Sequence, residues 1–323
     1  MPIFATWSAL SAILIVFGFA ACGDSSAPLD AGRDAASSDS AMDAAGDAGA
    51  GDSGRDAAAA DSSALDAAAD DSATGDATTE DAGGGALVLP PANGSLDYQL
   101  GEPYAPPAGV VVVSRDRNAT PATGVYNICY VNGFQTQPDE RAFWTSEHPD
   151  LLLRDAGGDL VIDPDWDEII LDVRTIEKRA ALAVIVGGWI DGCADDGFDA
   201  IEVDNLDTYS RSGGLVSQDD AVAFMGLLAG RAHARSLPIA QKNSTEVLSR
   251  AAEMGTDFAV AEECNRWNEC ADYQSVYGNQ VYVIEYRRGD FDAGCRDFPG
   301  LSVVLRDLPL RAPGSTGYVY DGC

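Results

Sequence analysis

The stretch Gly197-Phe198-Asp199-Ala200-Ile201-Glu202-Val203-Asp204-Asn205-Leu206-Asp207-Thr208-Tyr209 sets the terms on which the rest of the chain is read. From Phe198 to Val203 the alternation and β-branched content predict a strand. The run ends in a carboxylate-rich tip, Asp204-Asn205-Leu206-Asp207, with aromatic Tyr209 just beyond. A period of two places Phe198, Ala200, Glu202 and Asp204 on one face. Acids crowded at the end of one strand repel each other, so a chain that keeps them has a use for them.

Working outward, short apolar runs alternate with helical ones. Strand-like runs are Tyr98-Gln99-Leu100, Val110 to Val113, Val125 to Val131, Ile169 to Val173, Ile239 to Lys242, Phe258 to Ala261, Val281 to Ile284 and Leu301 to Leu305. Between them, Thr175 to Val186 and Asp219 to Arg235 have helical spacing, the second with Ser217 as an N-cap. Thr245 to Met254 reads as a helix stopped by Gly255. Residues 87–323 therefore fit a single α/β domain, a (β/α)8 barrel of the TIM type. Such barrels carry their active sites at the carboxyl ends of the strands. Here those ends hold Asp116, Asp204, Lys242-Asn243, Glu262-Glu263 and Glu285. The rival, a doubly wound open sheet, lacks its glycine-rich phosphate loop.

The preceding residues are of another kind. Residues 1–21 carry no charge, and Ala9 to Phe19 is an apolar core of export-signal length. Phe19-Ala20-Ala21-Cys22 resembles a bacterial lipoprotein cleavage box, which makes Cys22 the expected lipidation site. Residues 22–86 are Ala, Asp, Ser and Gly with hardly an aromatic residue, and from 23 to 86 they hold 15 acids against two arginines. Such a segment cannot bury enough apolar surface to fold and is expected to be a disordered acidic tether. The expected location is the cell surface or outer membrane, or the medium, with the lipid as the only contact with membrane.

The chain carries a net charge of −32, and a large share of it falls within residues 87–323. An acidic domain repels nucleic acid and attracts cationic partners. Without Cys22, six cysteines remain: Cys129, Cys193, Cys264, Cys270, Cys295 and Cys323. An even set in an exported chain implies disulfides, and six allow 15 pairings. The local pairs Cys264–Cys270 and Cys295–Cys323 are expected, leaving Cys129–Cys193. A zinc site is the rival, but the spacings are not CxxC and the chain has two histidines, His148 and His233.

Several chemistries lack their residues. There is no GxSxG turn and no HExxH, and Asp163-Pro164-Asp165-Trp166-Asp167 lacks the glycine and distal glutamate of a calcium loop. No cofactor or metal is called for. What is left is carboxylate chemistry: splitting a glycosidic bond takes one proton-donating acid and one ionised carboxylate. Residues two apart on one strand stack along it and cannot flank a bond, so the pair is drawn between strands, Asp204 with Glu262 or its neighbour Glu263. Alternation along Phe258 to Glu262 turns Glu262 inward and leaves Glu263 at the rim. Glu202 then lies below Asp204 and tunes it. Tyr98, Tyr130, Trp166, Tyr209 and Tyr286 are available to stack on sugar rings, and Asn205 and Asp207 to contact substrate at the rim.

These residues carry a resemblance. Tyr98-Gln99-Leu100, Trp166-x-Glu168 with Asp172-Val173-Arg174, Gly197-Phe198-Asp199 leading to Asp204-Asn205-Leu206-Asp207, Lys242-Asn243, Glu262-Glu263-Cys264 with Glu269-Cys270, and Glu285-Tyr286 occur in this order. Over residues 97–308 the chain resembles glycoside hydrolase family 114, the endo-α-1,4-polygalactosaminidases. The resemblance implies a TIM-like barrel, internal cleavage of an α-1,4-linked galactosamine polymer, and catalysis by Asp204 and Glu262. Asp204 is expected as nucleophile or base and Glu262 as general acid. Substrate contacts are expected from Asp116, Tyr130, Trp166, Glu202, Asn205, Asp207, Lys242, Asn243, Glu263, Glu285 and Tyr286. One departure is the loop Tyr130 to Gln137, where the family has a turn bearing glycine and glutamate. The expected partner is a cationic amino-sugar polysaccharide, and a non-catalytic polysaccharide-binding surface lipoprotein is the alternative.

Overall fold

The structure, a computed structural model, describes residues 86–323. The expected export signal (1–21), the lipidation site Cys22 and the tether up to residue 85 lie outside the described residues.

Eight parallel strands form the barrel: β1 (Leu96–Gln99), β2 (Val112–Asp116), β3 (Tyr126–Asn132), β6 (Ala200–Asp204), β7 (Ile239–Lys242), β8 (Phe258–Glu262), β9 (Val281–Glu285) and β10 (Ser302–Arg306). A two-residue ribbon, β4 (Ile162–Asp163) with β5 (Glu168–Ile169), stands apart, and β11 (Tyr320–Gly322) pairs antiparallel with β10. The parallel strands lie in chain order. Buried side chains draw β10 to β1, nearly closing the barrel: Arg306 donates to Asp97 Oδ1 at 3.1 Å and to the Tyr98 carbonyl, and Ser302 to the Gly94 carbonyl.

The helices are α1 (Arg141–Glu147), α2 (Ile176–Asp196), α3 (Thr208–Arg211), α4 (Gln218–Ala234), α5 (Ala251–Met254), α6 (Cys264–Trp267), α7 (Cys270–Tyr277) and α8 (Arg288–Asp297). The ideal (β/α)8 plan is relaxed in its first two connections, which contain no helix. Pro103, Pro106, Pro107 and Pro121 occupy those segments, where missing N–H donors and a fixed φ work against helical turns. Arg115 ties both loops down, donating to the carbonyls of Thr120 (2.5 Å) and Tyr104 (2.6 Å).

Three local expectations change. Helix α2 runs through Gly187 and Gly188 to Asp196, and Gly197 at φ 89° ends it. A Cβ at Gly187 would stand 3.3 Å from the Arg231 stem, so the glycine lets α2 and α4 pack closely. Thr245 to Arg250 is a 3-10 turn and only Ala251–Met254 is α-helical, with Gly255 (φ 72°) as the expected stop. Ile169 to Val173 is not a barrel strand: its first residue sits in the ribbon, and Ile170 and Leu171 form single bridges to Gln135 and Leu152. Ser217 caps α4 as expected, in a reciprocal box with Asp220. The disulfides are Cys129–Cys193, Cys264–Cys270 and Cys295–Cys323.

Alternation divides the core into two layers. Tyr98, Ile128, Ala200, Ala240, Phe258, Val260, Tyr282, Ile284 and Val304 fill the barrel interior. Their neighbours in sequence, among them Cys129, Ile201, Val203 and Ile239, pack against α2 and α4, while Ala259, Val281 and Val283 pack under α7 and α8. This phase decides which strand-end residues face the mouth.

Candidate active site

Three consecutive strands end alike: an inward functional side chain, then a residue in the left-handed region. The pairs are Asp204 and Asn205 (φ 66°), Lys242 and Asn243 (φ 47°), and Glu262 and Glu263 (φ 55°). Asparagine tolerates that conformation, and a glutamate there is a strained exception of the kind that clusters at functional sites. The turn sends the chain away from the barrel axis and leaves the preceding side chain at the mouth.

Lys242 sits between the acids. Its Nζ is 2.9 Å from Tyr98 Oη and 3.0 Å from Glu202 Oε1, with Asp204 Oδ1 at 3.5 Å and Glu262 Oε2 at 3.4 Å. Burial by itself would lower its pKa, but Asp204, Glu262, Tyr98 and Glu202 together raise it well above the usual lysine value. The group is therefore a fixed cation. Because both carboxylates reach one nitrogen, these two oxygens lie no more than about 7 Å apart, within reach of a bond held between them. Tyr130 donates to Asp204 Oδ2 (2.9 Å) and the Asn205 N–H to Oδ1 (2.8 Å). Tyr286 donates to Glu262 Oε1, and the Asn243 amide to Oε2 at 3.3 Å. Burial first, then the adjacent carboxylates, hold the hydroxyls of Tyr130 and Tyr286 protonated far into the alkaline range.

A cleft of about 390 Å³ opens over this floor, within the size range of small-ligand sites. Asp116, Tyr130, Trp166, Asn205, Asp207, Asn243 and Tyr286 line it together with Asp204, Lys242 and Glu262. A second hollow continues past Glu262, with Glu263, Glu246 and Trp267 on its walls and Trp166 shared between the two. A wider depression lies elsewhere, and in it Asp172, Arg174 and Lys178 are paired with one another.

Two expected contact residues are placed elsewhere. Glu202 is fully buried under Lys242, accepting from Tyr98 Oη (2.6 Å) and Ser114 Oγ (2.7 Å), and is part of the floor rather than a substrate contact. Glu285 is also fully buried, on the outer face of its strand, where it accepts the Asn265 N–H at 2.8 Å. Burial first, and then Asp290 and Glu263, push its carboxyl up to about 7. Glu263 pairs with Arg266 at 2.6 Å and stays at the rim.

The structure adds residues that were not read as site residues. Arg211 on α3 pairs with Asp207 (2.7 Å) and with buried Asp163 (2.7 Å), fixing the Asn205–Asp207 turn. Glu168 enters the cleft from β5, held by Asn132 Nδ2 at 2.9 Å. Glu168 stood in the quoted Trp166-x-Glu168 motif, but a two-residue ribbon has no periodicity to show where it points.

Among solved structures, Ega3 of Aspergillus fumigatus, crystallised with galactosamine, aligns with a TM-score of 0.60 and 21% identity over 74% of this chain and 98% of that chain. It shares the fold. The glycoside hydrolase domain of PelA from Pseudomonas aeruginosa aligns with a TM-score of 0.48 and 15% identity over 69% of this chain and 98% of that chain. No curated protein matches the sequence. The family model of glycoside-hydrolase family GH114 matches residues 77–323. That span takes in all eight parallel strands and every residue of the carboxylate floor, and the chain belongs to glycoside-hydrolase family GH114.

Proposed function

We propose that this protein cleaves α-1,4-galactosaminidic bonds within a galactosamine-containing polysaccharide, with Asp204 and Glu262 as the catalytic carboxylates. The observation that carries the reading is the placement of both acids, from strands on either side of β7, against the single ammonium of Lys242. Asp204 accepts from Tyr130 and from the Asn205 N–H besides facing the lysine, which fixes its carboxylate at the mouth for the role of nucleophile or base. Glu262, with a longer amide contact and a more open side chain, takes the part of the acid that protonates the leaving oxygen. Lys242 offsets part of the anionic charge of the floor and gives both carboxylates a partner at the mouth.

The substrate class follows from charge and family. Galactosamine polymers without acetyl groups are cationic near neutral pH, and an acidic cleft draws them in. Ega3, which shares the fold, was crystallised with galactosamine. The hollow beyond Glu262 offers room for units past the scissile bond, in keeping with attack inside the polymer.

The test is end-group release by the full chain from α-1,4-galactosamine polymer, chitosan and neutral α-galactans. New reducing ends are expected from the galactosamine polymer, falling about 10³-fold in Asp204→Asn and Glu262→Gln. A wild type that releases no ends from any cationic polysaccharide overturns the reading.

The proposal includes export and anchoring through Cys22, supported by the apolar segment and cleavage box. In a Gram-negative host Cys22→Ser is expected to move the protein from the membrane fraction to the soluble one. An unchanged distribution rejects the anchor.

A further inference from the structure

The carboxylates around the cleft differ in how their charge is met. Asp204 and Glu262 share Lys242, and Asp207 and Asp163 share Arg211. Glu168 lies on the Asp204 side of the cleft, and among the described residues no lysine or arginine nitrogen comes within 4 Å of it. One of its oxygens, Oε2, accepts from Asn132 Nδ2; the other has no donor among the described residues.

The arrangement is built rather than incidental. Asn132 is the register partner of Asp204 across β3 and β6, so its amide stands beside the nucleophile. The amide orientation is set from the other end: Asn132 Oδ1 accepts from the Gln135 N–H (3.1 Å) and from Asn205 Nδ2 (3.0 Å), which leaves Nδ2 for Glu168. Arg211, whose charge acts on Glu168, is turned to Asp163 and Asp207, and Asp163 is further held by Gln135 Nε2 at 3.0 Å. The neighbouring charges are thus paired with each other, and Glu168 is left with one open oxygen at the cleft.

We propose that Glu168 recognises the positively charged amino group of the sugar unit seated against Asp204, and so selects free-amine units over N-acetylated ones. This rests on the reading of the substrate given above. An ammonium brings the cation that the site lacks. An acetamido group brings no charge and adds an acyl group where the carboxylate stands.

The charged surroundings give the contact a signature. Burial pushes the Glu168 carboxyl up to about 7, opposed by the Asn132 hydrogen bond, reinforced by Asp204 and Asp163, and opposed again by Arg211. Those groups come from β3, β6, β4 and α3, and the hydroxyl of Tyr130 on β3 faces it as well. In the empty cleft the group is increasingly protonated as pH falls through about 7. An incoming ammonium favours the carboxylate and draws that proton off. Affinity for amine-bearing units therefore falls as pH drops from about 8 to about 6, whereas binding of N-acetylated units does not follow this group.

The experiment compares the wild-type full chain with Glu168→Gln and Glu168→Asp. Calorimetry measures binding of galactosamine and N-acetylgalactosamine at pH 6 and pH 8. Reducing-end assays on fully and partly deacetylated polymer measure kcat and KM, and thermal melts confirm folding. In wild type, galactosamine is expected to bind about tenfold more tightly than the acetylated sugar at pH 8, with a smaller margin at pH 6. Glu168→Gln is expected to lose that margin and its pH dependence, raising KM for the amine polymer more than it lowers kcat. Glu168→Asp should keep part of the preference. A wild type without preference, or a Glu168→Gln protein that keeps it, overturns the proposal. If the preference depends on Glu168 but no polymer is cut, the proposal stands and the hydrolase reading of the substrate falls. If polymer is cut with equal preference in both proteins, the hydrolase reading stands and this one falls.

Discussion

Glu262 and Glu285 end neighbouring parallel strands, and each closes an apolar run. Their fates are opposite. In the β8–β9 register Glu262 stands opposite Ile284, an interior residue, so its side chain faces the barrel mouth and reaches Lys242. Glu285 is one residue further on, in phase with Val281 and Val283, and lies buried against the helix layer. Tyr286, the next residue, reaches Glu262 in the cleft. An acid at a strand end becomes available for chemistry only when the pleat points it inward, and a shift of one residue turns a cleft carboxylate into a buried one.

The sharpest way to break this comparison is to neutralise each acid. Beside the roughly 10³-fold loss expected of Glu262→Gln, Glu285→Gln should leave kcat/KM within about twofold of wild type. A large loss from Glu285→Gln would place that residue in the catalytic machinery and refute the division by strand face.

Next comes the floor on which Glu262 depends. Lys242→Met strands the fully buried Glu202 without its cation, so stability is expected to fall by about 3 kcal/mol and activity by about 10²-fold. Adding Glu202→Gln should recover most of the stability and little of the activity. Urea unfolding together with end-group assays checks both. Recovery of activity in the double variant would mean that the lysine serves only to offset Glu202.

The smallest effect sharpens the Glu285 side. Its carboxyl is pushed up to about 7 in the folded protein by burial, so the folded chain holds this proton longer than the unfolded chain does. Its contribution therefore weakens the fold as pH rises from about 4.5, the ordinary value, to about 7, and stays constant above that. Glu285→Gln removes this loss. The variant is expected to be more stable than wild type at pH 8, by up to about 3 kcal/mol, and equal to it at pH 4. Melting at the two pH values measures it, and a variant equal to wild type at pH 8 would contradict the buried environment.

Much of the site was open to reading because it lies on strands with one decisive face. Along Ala200 to Asp204 the acids share a phase, and along Phe258 to Glu262 the final acid follows two apolar residues of the same phase; the structure places Asp204 and Glu262 at one mouth. Val281 to Glu285 is apolar at every position before the acid, because both faces of that strand are buried, and alternation has nothing to report there. The floor role of Glu202 was half legible. Its place below Asp204 followed from spacing, but its enclosure by Tyr98, Ser114 and Lys242 joins residues 40 to 104 positions away.

What the sequence by itself determined is the set of local decisions: which segments are strands, Ile169 to Val173 apart, where Ser217 and Gly255 bound helices, and which strands end in acids. These depend on propensity, capping and a period of two, all of which act over a few residues. Only the tertiary structure decided which acids meet. Lys242 gathers carboxylates from β6 and β8, Asn132 holds Glu168 over a gap of 36 residues, and the phase of β9 takes Glu285 out of the cleft. Those outcomes depend on register and closure of the barrel, which are set by packing across the whole sheet rather than by any one stretch of chain.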